Sequence, residues 1–157
     1  MNSMKNHKIL FVCLGNICRS PSAEGVMKKL VEGLPIKVES AGTAGYHIGE
    51  LPDPRTRSHA AKRGYQLVSR ARQFDPGTDF ETFDRIIAMD ANNLQDLKRM
   101  DRTGKYHHKL SIMTDYCSVV DADHVPDPYY GGPEGFERVL DILEDACAGL
   151  LKELSKS

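Results

Sequence analysis

Apolar residues fall into short continuous runs separated by stretches of helical spacing, and that alternation sets the expected fold. Residues 9–12 (Ile9, Leu10, Phe11, Val12) are continuously apolar, so residues 8–12 read as a strand covered on both faces. Behind it, Ala23, Val26, Met27, Leu30, Val31 and Leu34 recur as one helical stripe, which Gly33 and Pro35 end. Ser20 reads as the N-cap of that helix, with Pro21 at its first position, where a missing N–H costs nothing. Residues 36–40 predict a second strand closed by Ala41 and Gly42. Residues 46–54 form a loop rich in Gly and Pro, and 55–63 a short, weakly amphipathic helix stopped by Gly64. The polar stretch 66–82 has no clear period. Residues 84–89 predict a third strand, and Asp90 caps a helix that turns Leu94, Leu97 and Met100 inward. A fourth strand at 109–113 leads into a long connection to Gly132; loops of that length are usually functional or disordered. Pro133 opens the last helix, whose Phe136, Val139, Leu140, Leu143, Cys147, Leu150, Leu151 and Leu154 carry the cleanest period in the chain. Residues 1–6 are polar and are expected to fray.

Strand–helix alternation implies an α/β fold with a parallel sheet and helices on both faces. Ligands of such sheets bind beyond the carboxyl ends of the strands. Cys13, Ser40, Asp90 and the loop after the fourth strand all fall there.

Composition narrows the classes. With 157 residues and 40% hydrophobic content, one domain spanning 1–157 is the natural reading. The 21 basic and 22 acidic residues nearly cancel, and they form neither a nucleic-acid stripe nor a membrane-binding face. The apolar run near the N-terminus is too short for a signal peptide. Cys13, Cys18, Cys117 and Cys147 are therefore expected to be reduced thiols in the cytoplasm. No Cys-x2-Cys pair points to zinc, and no metal or other cofactor is expected. His107-His108 reads as a loop or strand-start pair, and Asp121, Asp123 and His124 could bind a cation that the chemistry at Arg19 does not need.

The candidate chemistry sits between the first strand and the first helix. Residues 13–19 must turn tightly there, so successive N–H groups can point inward while the helix adds its positive end. That makes a cradle for a tetrahedral dianion, built by Leu14, Gly15, Asn16, Ile17 and Cys18. Gly15 permits close backbone approach, and Asn16 bonds locally. Arg19 adds a planar fork for two phosphate oxygens. Cys13 stands at the strand end, in a field that favours a thiolate. A buried structural cysteine is the plainer alternative, and Gly15 and Arg19 argue against it. Asp127 lies between Pro126 and Pro128, which stiffen its backbone; by residue type alone a polar turn is the better reading.

The octapeptide from Cys13 to Ser20 (Cys-Leu-Gly-Asn-Ile-Cys-Arg-Ser), with Val-Pro-Asp-Pro-Tyr-Tyr ending at Tyr130, resembles the low-molecular-weight protein tyrosine phosphatases. Ser40-Ala-Gly-Thr, Pro52-Asp-Pro-Arg and Ala88-Met-Asp extend the resemblance over nearly the whole chain. It implies a flavodoxin-like strand order, 2-1-3-4, and hydrolysis of phosphotyrosine and small aryl phosphates through a cysteinyl-phosphate. It makes Cys13 the nucleophile, Arg19 the phosphate clamp and Asp127 the general acid. Ser20 would donate to the Cys13 sulfur, while Ser40 and Asp90 support the loop. Tyr129 and Tyr130 resemble the family's pocket-wall tyrosines, and Tyr46 the opposite, variable wall. Arg70 stands near where some members carry a loop-bracing histidine. Phosphotyrosine proteins and a cognate tyrosine kinase are the implied partners of a monomer or weak dimer. An arsenate reductase shares the cradle but needs a resolving cysteine pair, and only Cys117 and Cys147 are available. A phosphotyrosine-binding module or a phosphocarrier would have no use for Asp127. Cys18 is either packing or a trap for oxidised Cys13 through a disulfide.

Overall fold

The structure, a computed structural model, describes residues 4–156. Four parallel strands, β1 (His7–Cys13), β2 (Ile36–Gly42), β3 (Arg85–Ala88) and β4 (Leu110–Ile112), form one sheet in the order β2-β1-β3-β4. The helices are α1 (Arg19–Leu30), α2 (Pro54–Lys62), the single turn α3 (Asp79–Thr82), α4 (Ala91–Met100) and α5 (Pro133–Ser155). The α/β architecture and strand order are those expected. β1 gains a residue at each end and β2 reaches Gly42, while β3 and β4 are shorter than their apolar runs.

β1 is central because it pairs on both sides, from His7↔Ile36 to Cys13↔Gly42 and from Ile9↔Arg85 to Val12↔Ala88. Its side chains alternate between faces. Ile9, Phe11 and Cys13 join a core with Val26 and Met27 of α1 and Leu143 and Leu150 of α5. Leu10 and Val12 join the opposite core with Phe74, Phe80, Phe83 and Leu97. Helix α5 lies so close to the turn at Met113–Tyr116 that a Cβ on Gly149 would stand 1.8 Å from the Tyr116 carbonyl oxygen.

Several expectations need correction. Helix α1 starts at Arg19, with Cys18 at the N-cap position and no capping side chain. Ser20 is not the cap, because its hydroxyl is engaged inside the loop, and Pro21 is the third helical residue. That position still lies in the first turn, where the N–H has no intrahelical partner. The helix ends at Leu30 and the chain turns away through Gly33 (φ +80°), so Leu34 is out of helical phase; both leucines are exposed. The unassigned 66–82 stretch is irregular up to the turn before α3, bridges Gly42 through Gln73 and buries Leu67, Ala71, Phe74 and Phe80. Leu67 joins the core with α5, Ala71 packs with Ile17 and Cys18, and Phe74 and Phe80 join Leu10 and Val12, so no single period showed. Met4 packs against the core instead of fraying; the same expectation for 1–3 lies outside the described residues. The connection before α5 is pinned at one end by Asp145, whose carboxylate accepts N–H bonds from Ser118, Val119 and Val120 (3.2, 3.0 and 2.7 Å). Its other end is pinned by Val125 N–H donating to Met89 O (2.8 Å).

Candidate active site

Because β1 ends at Cys13 and α1 begins at Arg19, the intervening loop turns within a few residues, and Asn16 takes the left-handed conformation (φ +57°). Asparagine tolerates this conformation better than most residues. The neighbouring strand must yield space: a Cβ on Gly42 would lie 2.8 Å from Leu14 O and 3.2 Å from Asn16 N. The loop carbonyls are held from outside. Thr43 N donates to Cys13 O (2.9 Å), Ala44 N to Leu14 O (3.0 Å) and Asp53 N to Ile17 O (2.9 Å). By contrast, the N–H groups of Leu14, Gly15, Ile17 and Cys18 donate to nothing among the described residues. Backbone donors left unpaired beside a cleft form an anion-binding nest.

Cys13 is buried at the bottom of a pocket of about 220 Å³. Its sulfur accepts from Asn16 N (3.3 Å) and lies 3.0 Å from Ser20 Oγ. Asn16 Nδ2 donates to Ser20 Oγ (2.8 Å) and to Ser40 Oγ (2.9 Å). The Ser20 hydroxyl, already an acceptor there, is thereby free to turn its own proton toward the sulfur. Ser40 Oγ donates a hydrogen bond to the buried Glu24 (2.5 Å), which also accepts from Ser69 Oγ (2.6 Å) and Lys28 Nζ (2.5 Å). Arg72 N donates to Asn16 Oδ1 (3.0 Å), and the Arg72 guanidinium is forked onto Asp79 (2.9 and 3.2 Å). Arg70 takes no part. Its side chain reaches out to Gly49 O (2.9 Å), and the brace comes from Arg72 and Glu24 instead.

Arg19 is 4% exposed. Its Nη1 donates to Asp90 Oδ2 (2.6 Å) and Val125 O (3.1 Å), which uses both hydrogens of that nitrogen. The Nε–Nη2 edge is left for a ligand. Burial alone would lower the pKa of the guanidinium, but the charges of Cys13, Asp90 and Asp127 outweigh it and hold it raised. Asp90 also caps α4 by accepting from Asn93 N (2.8 Å), so one carboxylate sets both the helix start and the arginine's aim.

Asp127 is 42% exposed, with Oδ2 3.7 Å from Arg19 Nη2 and Oδ1 accepting from Tyr129 N (3.0 Å). It lines the same pocket as Cys13, Arg19, Tyr46, Tyr129 and Tyr130. Tyr129 and Tyr130 meet edge to face with centroids 4.9 Å apart, Tyr130 being almost fully exposed. Tyr46 is exposed on the rim.

Every loop residue singled out in the sequence thus falls at this pocket or directly behind it. Four contributors had no such signal. His47 lines the pocket and lies 6.5 Å from Tyr129 between ring centroids. Arg55 lies over the Tyr129 ring (5.4 Å) and donates to Tyr129 O (3.0 Å), itself held by Asp53, the N-cap of α2. Glu24 and Arg72 brace the loop from behind; a helical glutamate in the first turns of α1 looks like any solvated charge until burial is known. The Pro52-Asp-Pro-Arg segment could have pointed to Asp53 and Arg55. Cys18 lies buried beneath the loop, and burial pushes its thiol up to about 12. Cys117 and Cys147 do not line the pocket; burial pushes Cys117 up to about 11 and Cys147 higher still. His124 is bonded to the adjacent Asp123 (2.6 Å), and among the described residues no group of three or more His, Cys, Asp or Glu is placed to hold a metal ion.

The family model described as low molecular weight phosphotyrosine protein phosphatase matches residues 8–157. A low molecular weight protein-tyrosine-phosphatase of Streptomyces coelicolor is 44% identical over 92% of both chains. The human low molecular weight phosphotyrosine protein phosphatase is 39% identical over 98% of this chain and 99% of its own. Among solved structures, a protein tyrosine phosphatase from Entamoeba histolytica with Hepes in its active site superposes with a TM-score of 0.91 at 46% identity, covering 96% of this chain and 98% of that one.

Proposed function

Because the chain belongs to the low molecular weight phosphotyrosine protein phosphatase family, we propose that Cys13 is its nucleophile, Arg19 its phosphate clamp and Asp127 its proton donor. The chain is a protein tyrosine phosphatase, a hydrolase acting on phosphoproteins. The observation that carries the residue assignment is the clustering, around the Cys13 sulfur, of unpaired loop amides and the unused edge of Arg19.

A phosphotyrosine dianion enters with its equatorial oxygens on those amides and on Arg19 Nε and Nη2. The Cys13 thiolate attacks phosphorus in line, and the bond to the phenolic oxygen breaks. The incoming dianion takes over the Arg19 edge that faces Asp127. Asp127 passes a proton to the leaving oxygen, worth roughly two to four orders of magnitude in rate. Water, with Asp127 as base, then attacks the cysteinyl-phosphate. The sulfur departs as a thiolate that accepts from Asn16 N–H and Ser20. Tyr46, Tyr129 and Tyr130 give the pocket aromatic walls suited to a phenyl ring.

The same proposal takes 1–157 as one catalytic domain, monomeric or weakly dimeric, working in the cytoplasm opposite a cognate tyrosine kinase. Four unpaired thiols, one of them catalytic, support a reducing compartment. No helix among the described residues is long and apolar enough to cross a membrane. An arsenate reductase is disfavoured because neither Cys117 nor Cys147 lines the pocket.

Turnover of p-nitrophenyl phosphate, phosphotyrosine, phosphoserine, phosphoarginine and arsenate separates the alternatives; phosphoarginine is included because a Drosophila arginine phosphatase superposes with a TM-score of 0.86 at 31% identity. Phosphotyrosine and the aryl phosphate should turn over, with EDTA present. Activity that appears only with an added divalent ion, or only on arsenate, would overturn the mechanism. Orthovanadate should protect Cys13 from alkylation, and failure to protect would move the site elsewhere.

A further inference from the structure

Leu14 and Tyr46 belong to two cavities. On one side they line the catalytic pocket, and on the other a groove of about 730 Å³ whose further wall includes Asp96, Arg99, Met100 and Arg102. Leu14 and Tyr46 are both exposed for apolar residues, 41% and 75%. The charges of the groove do not balance. Arg99 Nη1 donates to Asp96 (3.1 Å), whereas Arg102 is exposed and enters no ion pair among the described residues. Lys98 and Arg99, in the last turn of α4, are accounted for by the helix dipole. Arg102 lies beyond the helix end, and Asp101 between them is buried, bonded to Tyr106 N and paired with His107. The free charge is therefore positive, and it adjoins the reaction pocket through two shared residues.

Resting on the phosphatase reading above, we propose that this groove seats the polypeptide flanking the phosphotyrosine, and that Arg102 selects an acidic side chain on it. A substrate chain leaving the pocket across Leu14 and Tyr46 enters the groove directly. At about 3.3–3.6 Å per extended residue, a carboxylate within about four positions of the phosphotyrosine is in range. The apolar surface of Leu14, Tyr46 and Met100 contributes burial without sequence preference, and Arg102 contributes the preference.

The test uses the full chain and matched phosphotyrosine peptides carrying Asp, Asn or Lys at each of four positions on either side. Wild type should favour Asp over Asn at one or more positions by about two- to fivefold in kcat/KM, the range for exposed pairs. The difference should lie in KM and fade at high salt. Arg102→Gln should erase the preference, and Arg102→Glu should reverse it in favour of Lys. Both variants should turn over p-nitrophenyl phosphate as wild type does, since Arg102 lies outside the catalytic pocket. Equal Asp and Asn rates in wild type at every position, or a preference unchanged in Arg102→Glu, would overturn the docking groove while leaving the phosphatase reading intact. Loss of p-nitrophenyl phosphate turnover in the two variants would also overturn it, by making Arg102 structural. Absence of that turnover in wild type strikes the phosphatase reading instead.

Discussion

Between residues 13 and 19 five of the seven residues are buried, three loop carbonyls are bonded to the segments that follow β2 and precede α2, and Asn16 alone joins three partners behind the loop. Between residues 125 and 130 only Val125 and Pro128 are buried. Asp127 there keeps one backbone hydrogen bond and one loose approach to Arg19. Both segments deliver groups to one pocket, yet one is over-determined and the other is tethered at few points. The chemistry asks for this difference. Donors that stabilise charge on phosphorus act best when already in place, so that no reorganisation is needed during reaction. A proton donor must meet leaving groups of different size and must then activate water, so partial exposure serves it. Arg19 connects the two segments: Val125 O and Asp90 hold its Nη1, and Asp127 faces its Nη2.

The comparison can be broken or sharpened by substitution. Cys13→Ser should abolish turnover, by roughly four to six orders of magnitude, with circular dichroism and thermal unfolding close to wild type. Substantial residual turnover would remove the sulfur from the reaction. In the exposed segment, Asp127→Ala should lose roughly two to four orders of magnitude with phenyl phosphate and much less with p-nitrophenyl phosphate. A leaving-group series that loses rate uniformly would show that Asp127 does not supply the proton.

Asn16→Ala tests the brace itself. It removes the donor to Ser20 and Ser40, leaves Arg72 N without its acceptor and puts alanine at positive φ, so unfolding stability should fall by about 1–3 kcal/mol. kcat should fall at least about tenfold, because the loop amides are no longer held in place. A silent variant would mean that the cradle is held by its backbone bonds alone. A smaller effect concerns Cys18, whose buried thiol sits at about 12 and is protonated at neutral pH. If it traps oxidised Cys13, raising the pH toward 12 increases its thiolate, so the fraction of activity that dithiothreitol restores after peroxide should rise with pH in wild type and stay flat in Cys18→Ser. Identical pH dependence in both proteins, with no linked peptide by mass spectrometry, would leave Cys18 as packing. The smallest change belongs to Arg70→Ala, which removes only an exposed bond to Gly49 O. Activity and stability should stay within about twofold and about 0.5 kcal/mol of wild type. A large loss would return Arg70 to the bracing network.

Local order in the chain is enough to identify the cradle. A continuous apolar run, a tight turn with Gly15 and Arg19, and a helix start are consecutive, so residues 13–20 carry their geometry in their own spacing. The same holds for the cleanly periodic α5 and for Asp90 as a cap. Asp127 was legible only through likeness to known sequences, because proline-flanked aspartates are ordinary turn residues. Beyond Asn16, Ser40 and Asp90, the brace was not legible. Glu24 and Arg72 look like solvated charges in the sequence, and their burial or partners depend on residues far away, Ser40 and Ser69 for one and Asn16 for the other. Leu30 and Leu34 erred in the opposite direction, since apolar character alone does not say where a helix stops. Arg55 over Tyr129 and the groove shared through Leu14 and Tyr46 likewise join segments that nothing in the sequence places together. Periodicity and turn chemistry are local, so the sequence by itself determined the elements and the loop that holds the nucleophile. Burial and long-range hydrogen bonds depend on which elements pack together, so only the tertiary structure decided what holds that loop and what surrounds it.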